Sequence, residues 1–233
     1  MQRSLSLAVA QPRCVPHDVA ANAAAHAQAV HAADARVVVF PEMSLTGYEL
    51  DAAPVLPDDE RLRPLIAACA ERGTLALVGA PVPGPDGPHI GVLAVDADGA
   101  RVVYGKVYLH GTEVVGFVPG EPAVIEVNGW RLGLAVCRDT GVPEHAARTA
   151  ALGMDVYVAG VVHSDREAGL HGERARRVAA EHGVFVATAA FAGPTGGGYA
   201  RTCGRSGIWS PVGALLAEAG AAPDEVARAV LSR

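Results

Sequence analysis

Aromatic residues make up only 5% of this 233-residue chain, and they are scattered rather than grouped. No basic stripe accompanies them: arginines alternate with acids, and the formal charge is −6. A nucleic-acid or anionic-membrane partner calls for a concentrated positive patch, so the balance argues against both. Cysteine is also scarce, at positions 14, 69, 137 and 203, and no C-x-x-C pair occurs. That argues against a disulfide framework or a zinc knuckle, and each thiol is judged alone. No apolar run approaches transmembrane length, and "MQRSLSLAVAQP" holds only about six apolar residues before Gln11, short of a secretory signal core. A cytoplasmic location is expected. Half of the residues are hydrophobic and no Ser, Gln or Pro tract points to disorder, so residues 1–233 are expected to form one domain around a sizeable core.

Lysine is the rarest charged residue. Of the nineteen basic side chains, Lys106 is the only lysine and the rest are arginine. A compact ammonium and a planar guanidinium are not interchangeable where charge must be focused on one atom. The exception singles out Lys106, although one stray lysine is also what chance would leave.

What the chain has in quantity is alternation of strand and helix patterns. "LSLAVA" (5–10), "RVVVF" (36–40), "TLALVGA" (74–80), "DVYVAG" (155–160) and "VFVATAA" (184–190) read as buried strands. Helices are expected over 16–33, 58–72, 143–152 and about 166–182. Between them, "ADGA" and Asn128-Gly129 each join two apolar strands, the latter as a strong hairpin signal. "SGIWSPVGALLAEA" predicts a closing hairpin, followed by a short helical tail from Pro223. The result is a mixed α/β class without a fixed-period repeat.

Cys137 ends the strand "RLGLAV" just before an expected helix, where free N–H groups and the helix dipole favour thiolate over thiol. Asp139 or Thr140 is placed to cap that helix, with Pro143 in its first turn. Ligands of open α/β sheets gather at such carboxyl edges. Glu42, directly after "VVVF" and Pro41, stands at a similar edge; burial there would raise its pKa into the range of a general base. Cys14, Cys69 and Cys203 read as packing residues. The nine histidines show no H-E-x-x-H or paired ligand spacing, so His110, His163 and His171 read as loop or surface residues, and neither metal nor cofactor is expected.

Taken in order, "FPEMSLTGYEL", "YGKVYLHGTEVVGFVPGEP" and "GLAVCRDTGVPE" resemble the three motifs of the nitrilase superfamily of carbon-nitrogen hydrolases. The resemblance spans nearly the whole chain. It implies a four-layer α-β-β-α sandwich and a homodimer or larger homo-oligomer. It places the catalytic glutamate, lysine, second glutamate and cysteine on Glu42, Lys106, Glu113 and Cys137. The implied chemistry is attack of Cys137 on an amide or nitrile carbon, with Lys106 and the Arg138 backbone N–H as oxyanion hole. Glu42 would act as base and Glu113 would orient Lys106. Tyr48, Arg138 and His163 are candidate substrate contacts, with Arg138 or Arg201 a candidate partner for a substrate carboxylate. The chain departs from the family where Arg138 replaces an aromatic and Gly141 an arginine. A small-molecule amidase is the expected activity. N-carbamoyl hydrolase, nitrilase, or an idle binding module of the same fold are the alternatives.

Overall fold

A computed structural model describes residues 3–233. In chain order, β1 (Ser4–Gln11) leads to α1 (Val19–Ala33), β2 (Val37–Val39), α2 (Arg63–Arg72), β3 (Leu75–Val82), β4 (His89–Asp96) and β5 (Gly99–Gly105). The second half runs through α3 (Glu113–Gly116), β6 (Val124–Val127), β7 (Trp130–Val136), α4 (Pro143–Ala151), β8 (Val156–Val161), α5 (Leu170–His182) and β9 (Phe185–Ala190). It closes with β10 (Gly207–Trp209), β11 (Leu215–Glu218) and β12 (Glu225–Ser232).

The strands form two six-stranded sheets, ordered β12-β1-β2-β3-β4-β5 and β11-β10-β9-β8-β7-β6. Each is parallel at its centre, where helices make the crossovers, and antiparallel toward its edges, where β3-β4-β5, β6-β7 and β10-β11 are hairpins and the last strand, β12, pairs with the first. Strand alternation then builds the layers. Val37 and Val39 face the opposing sheet with Leu7, Leu77, Leu134 and Val156, while Val38 faces outward with Ala76 onto Val30 and Leu65 of the covering helices. On the other outer face Ala135, Tyr157 and Val186 pack with Ala146 of α4 and Val178 of α5. Three apolar layers separated by two sheets make the four-layer α-β-β-α sandwich.

Several boundaries differ from the sequence expectation. The first helix starts at Val19, not Pro16, because the Asp18 carboxylate caps it by accepting from the Ala21 N–H at 2.9 Å. The region 58–72 opens as a 3₁₀ turn at Glu60–Leu62 and becomes α-helical only at Arg63, with Pro64 in the first turn. Likewise Asp165–Glu167 form a separate 3₁₀ turn before α5. The expected tail helix is a strand instead: β12 pairs antiparallel with β1 over eight residues, from Ser4 opposite Ser232 to Gln11 opposite Glu225. Its β-branched and alternating side chains cover the open edge of β1, and edge pairing overrides the local helix propensity of alanine. No helix among the described residues is long and apolar enough to cross a membrane.

Candidate active site

Glu42 sits in a tight turn directly after β2. Two glycines from opposing sheets clamp that turn. A Cβ on Gly79 of β3 would collide with the Pro41 carbonyl oxygen and the Met43 nitrogen; one on Gly160 of β8 would lie 2.6 Å from the Phe40 oxygen and 2.8 Å from the Glu42 nitrogen. Only residues without a side chain let the turn approach this closely. The Glu42 carboxylate is 1% exposed.

Lys106 follows β5, its backbone N–H still donating to the Ile90 carbonyl at 2.8 Å. Its Nζ donates to Glu42 Oε1 and to Glu113 Oε1, both at 2.7 Å, and all three side chains are buried. Glu113 opens α3 and is held from two further directions. Its Oε1 accepts from the Tyr48 hydroxyl at 2.5 Å and its Oε2 from the His110 N–H at 2.6 Å. Two of the three ammonium hydrogens are therefore committed to carboxylates.

Cys137 leaves β7 with φ at +40°, a left-handed conformation that costs a non-glycine residue energy and marks a sharp elbow. The elbow is a 3₁₀ turn, Cys137–Gly141, that precedes α4. Asp139 does not cap α4, whose N-cap is Val142 without a side-chain bond. It is wholly buried and fastens the elbow instead, accepting from the Val136 N–H at 2.9 Å, the Tyr108 N–H at 2.9 Å and the Tyr104 hydroxyl at 2.7 Å. Thr140 Oγ1 donates to the Cys137 carbonyl at 2.6 Å, and Arg177 of α5 donates to the Thr140 carbonyl at 2.7 Å. The sulfur lies 3.5 Å from the Val162 carbonyl oxygen, just past β8.

Burial governs the protonation states. It raises the Glu42 carboxyl to about 7, with Lys106 opposing the shift and Glu113 adding to it. The Lys106 ammonium faces the same desolvation, but the charges of Glu42 and Glu113 oppose it and hold its pKa above the ordinary value. Burial and then the Glu42 charge push the Cys137 thiol well up. The resting group is therefore a thiol, contrary to the thiolate expected from a helix start: enclosure outweighs the dipole of a short turn. Glu42 Oε2 has no partner at ordinary hydrogen-bond distance, although the thiol is close enough to stabilise the carboxylate weakly. The site thus pairs a neutral thiol with a carboxylate whose second oxygen is uncommitted.

A cavity of about 170 Å³ opens above these groups, lined by Tyr48, Lys106, Glu113, Cys137, Arg138 and His163. The structure brings together every one of these sequence-predicted residues, with Glu42 beneath them. Arg201 is not among them: it is exposed and pairs with Asp165 at 3.1 Å over a separate depression. Sequence reasoning missed Arg174, Glu167 and Tyr199, which also line the cavity. Arg174 has a visible counterpart in the chain's departures: a Cβ at position 141 would lie 2.9 Å from its Cζ, so Gly141 vacates room for a guanidinium delivered from α5. Tyr199 stacks edge-on against Tyr48, ring centroids 5.4 Å apart. His163 and His171 are buried at 3% exposure each, not at the surface as expected.

A two-sheet sandwich carrying a thiol, an ammonium and two carboxylates at its joined strand edges defines a class of hydrolases that act on carbon-nitrogen bonds. The chain belongs to the carbon-nitrogen hydrolase family, whose profile matches residues 6–233. It is similar to a Pseudomonas protegens protein described as a hydrolase in the pqqF 5′ region, at 35% identity over 92% of this chain and 79% of that one. It is also similar to the Nesterenkonia sp. AN1 amidase in two solved forms. A cysteine-to-alanine variant in complex with butyramide matches at 28% identity and TM-score 0.84, over 97% of this chain and 90% of that one. A glutamate-to-glutamine variant, in which the acetamide moiety of fluoroacetamide is covalently added at the active-site cysteine, matches with the same figures.

Proposed function

We propose that the protein hydrolyses small linear amides through a thioester on Cys137. The observation that carries this reading is the buried Glu42–Lys106–Glu113 bridge, 2.7 Å on each side of one ammonium, beside a thiol held on a strained elbow. In this mechanism Cys137 Sγ attacks the amide carbon as its proton passes to Glu42. The carbonyl oxygen becomes an oxyanion held by the third Lys106 hydrogen and by the N–H of Arg138, one of the unpaired first-turn donors. Glu42 returns the proton to the departing ammonia or amine, and the C–N bond breaks to leave the thioester. A water then loses its proton to Glu42 and attacks, giving the acid and restoring the thiol. Glu113 keeps the ammonium charged and aimed.

Cavity size supports a small acyl group, since 170 Å³ is comparable with cavities that admit benzene. The amide ligands of the Nesterenkonia protein, butyramide and fluoroacetamide, are of this scale. The test is ammonia release from a panel of aliphatic amides. Wild type is expected to turn over, and Cys137→Ala and Glu42→Gln to fold but be inert; full activity in either variant refutes the mechanism.

A second reading, hydrolysis of an amide or N-carbamoyl compound bearing a carboxylate, is favoured by Arg138 and Arg174 in the cavity wall. It is distinguished in the same panel: a Michaelis constant lower for acidic substrates than for neutral ones of equal size, lost in Arg138→Ala or Arg174→Ala, supports it. Equal constants exclude it.

A further inference from the structure

Three residues distant in sequence meet behind the cavity wall. His163, just past β8, His171 in α5 and Cys203, in the loop before β10, place one donor atom each so that all three lie within 4.8 Å of one another. All are buried, at 3%, 3% and 4% exposure. The two imidazoles lie parallel, their planes 3° apart and their centroids 5.7 Å apart.

The catalytic reading uses neither His171 nor Cys203, and as a purely structural cluster the arrangement is wasteful. Both nitrogens of His163 lack a hydrogen-bond partner, and a buried polar group without one costs about 1–3 kcal/mol. His171 is oriented differently. Its Nε2 lies 2.8 Å from the Arg205 carbonyl oxygen, to which it can only donate. That fixes the tautomer and leaves the lone pair on Nδ1, 3.8 Å from Cys203 Sγ. An imidazole held through one nitrogen by a backbone carbonyl, with the other turned to a thiol, is the outer-shell arrangement that metal-binding histidines use.

We propose that His163, His171 and Cys203 form a binding site for a thiophilic divalent cation, zinc first, in the wall shared by the active-site cavity and a neighbouring depression. Two imidazoles and a thiol are borderline-to-soft donors that suit zinc and disfavour magnesium or calcium. Zinc–nitrogen and zinc–sulfur bonds of about 2.0 and 2.3 Å put tetrahedral donors roughly 3.5 Å apart. The Cys203–His171 pair is already close to that. His163 must move in, and it has no hydrogen bond to lose.

Binding releases one proton, from Cys203, while both imidazoles enter neutral. The site then carries the thiolate charge, with Glu167 favouring a cation and Arg174 opposing it. Access exists from both sides: His163 lines the catalytic cavity, and His171 lines a depression of about 350 Å³ together with Arg205 and Trp209. Three protein donors leave a fourth zinc position for water or a small ligand.

The test uses full-length Cys137→Ala protein, so that the catalytic thiol cannot supply the sulfur, reduced and titrated with Co²⁺. One equivalent is expected to give thiolate-to-cobalt charge-transfer absorption and the intense visible bands of four-coordination, both displaced by Zn²⁺. Adding Cys203→Ser should abolish the charge-transfer band, and adding His171→Gln should weaken affinity at least about 100-fold. If those variants fail to fold, X-ray absorption on the zinc-loaded Cys137→Ala protein decides. One sulfur and two imidazole shells support the site; a shell lacking either overturns it, as does a cobalt titration without charge transfer or a band that survives Cys203→Ser. The readout needs no turnover, so its failure is separate from failure of the amidase reading.

Discussion

Replacing Lys106 by methionine removes the ammonium while nearly preserving side-chain volume, and its consequences follow from the partners left behind. Glu113 retains the Tyr48 hydroxyl and the His110 N–H. Glu42 retains nothing comparable, because Oε1 loses its lysine and Oε2 already has no partner. Breaking a buried ion pair by removing one member costs about 3–5 kcal/mol, most of it the uncompensated charge. Glu42 can escape by taking a proton. Its pKa, already raised to about 7 with the lysine present, must rise further without it.

The sign of the pH dependence follows. The unfolded carboxyl ionises in the ordinary range and the folded variant's only well above 7, so the folded state holds an extra proton between them. Above the folded wild-type value, the variant loses stability relative to wild type by up to about 1.4 kcal/mol per pH unit, until its own raised pKa is passed. Urea unfolding at pH 6 and pH 8.5 is the assay. The destabilisation should be about 2 kcal/mol greater at the higher pH than at the lower, since about 1.5 pH units lie above the wild-type value. Amide turnover should fall at least about 10²–10³-fold at either pH, since an oxyanion donor is gone. A variant with wild-type kcat/KM, or with a destabilisation that does not grow with pH, refutes the reasoning.

Wild-type kcat/KM should fall about tenfold per unit on the acid side with a midpoint near 7, where Glu42 gains a proton and can no longer accept one from Cys137; a flat profile from pH 5 to 8 excludes Glu42 as base. Gly160→Ala touches no reacting group, yet its Cβ would press on the Phe40 oxygen and Glu42 nitrogen, so kcat should drop at least about tenfold with little change in KM; unchanged kcat shows that the turn tolerates displacement. Tyr48→Phe removes a charge-assisted bond to Glu113 and should cost about 1.5–3 kcal/mol in urea unfolding, together with a lower kcat; a neutral outcome in both means that the His110 N–H and Lys106 suffice to hold Glu113.

The layers and the candidate site residues were legible because both are written in short-range patterns. Val37 to Val39 declare a buried strand by composition, and Glu42 and Cys137 declare themselves by following such strands directly. The last strand was not legible: "EVARAV" has helix formers in it, and only the open edge of β1 makes it a strand. The histidines failed for a related reason. His163 and His171, read as loop or surface residues, are buried because the turn after β8 and the first turn of α5 fold against the loop that carries Cys203, 32 residues beyond His171, and local polarity does not reveal such long-range enclosure. Arg174 stayed hidden because an arginine on a helix reads as a solvated face; its meaning appears only once Gly141 is seen to make way for it.

The position of the site between the sheets is what reconciles its energetics with its chemistry. An ammonium and two carboxylates buried beside a half-buried thiol form a cluster that tends to destabilise a core, because desolvation opposes each ionised group. Each member is therefore anchored by backbone that the fold cannot easily relinquish. Lys106 still shares the register of β4, Glu113 is tied by the His110 N–H, Glu42 is gripped between Gly79 and Gly160, and Cys137 is strained over a buried Asp139. The glycine clamp draws on both sheets, so a change in their spacing would move Glu42 against both Cys137 and Lys106. On the proposed mechanism the sandwich core bears on the reaction as well as on stability: Val39, Leu77, Val92, Leu134 and Val158 pack in one buried cluster between the sheets, so a change there that alters the sheet spacing is expected to alter the separation of Cys137 and Glu42.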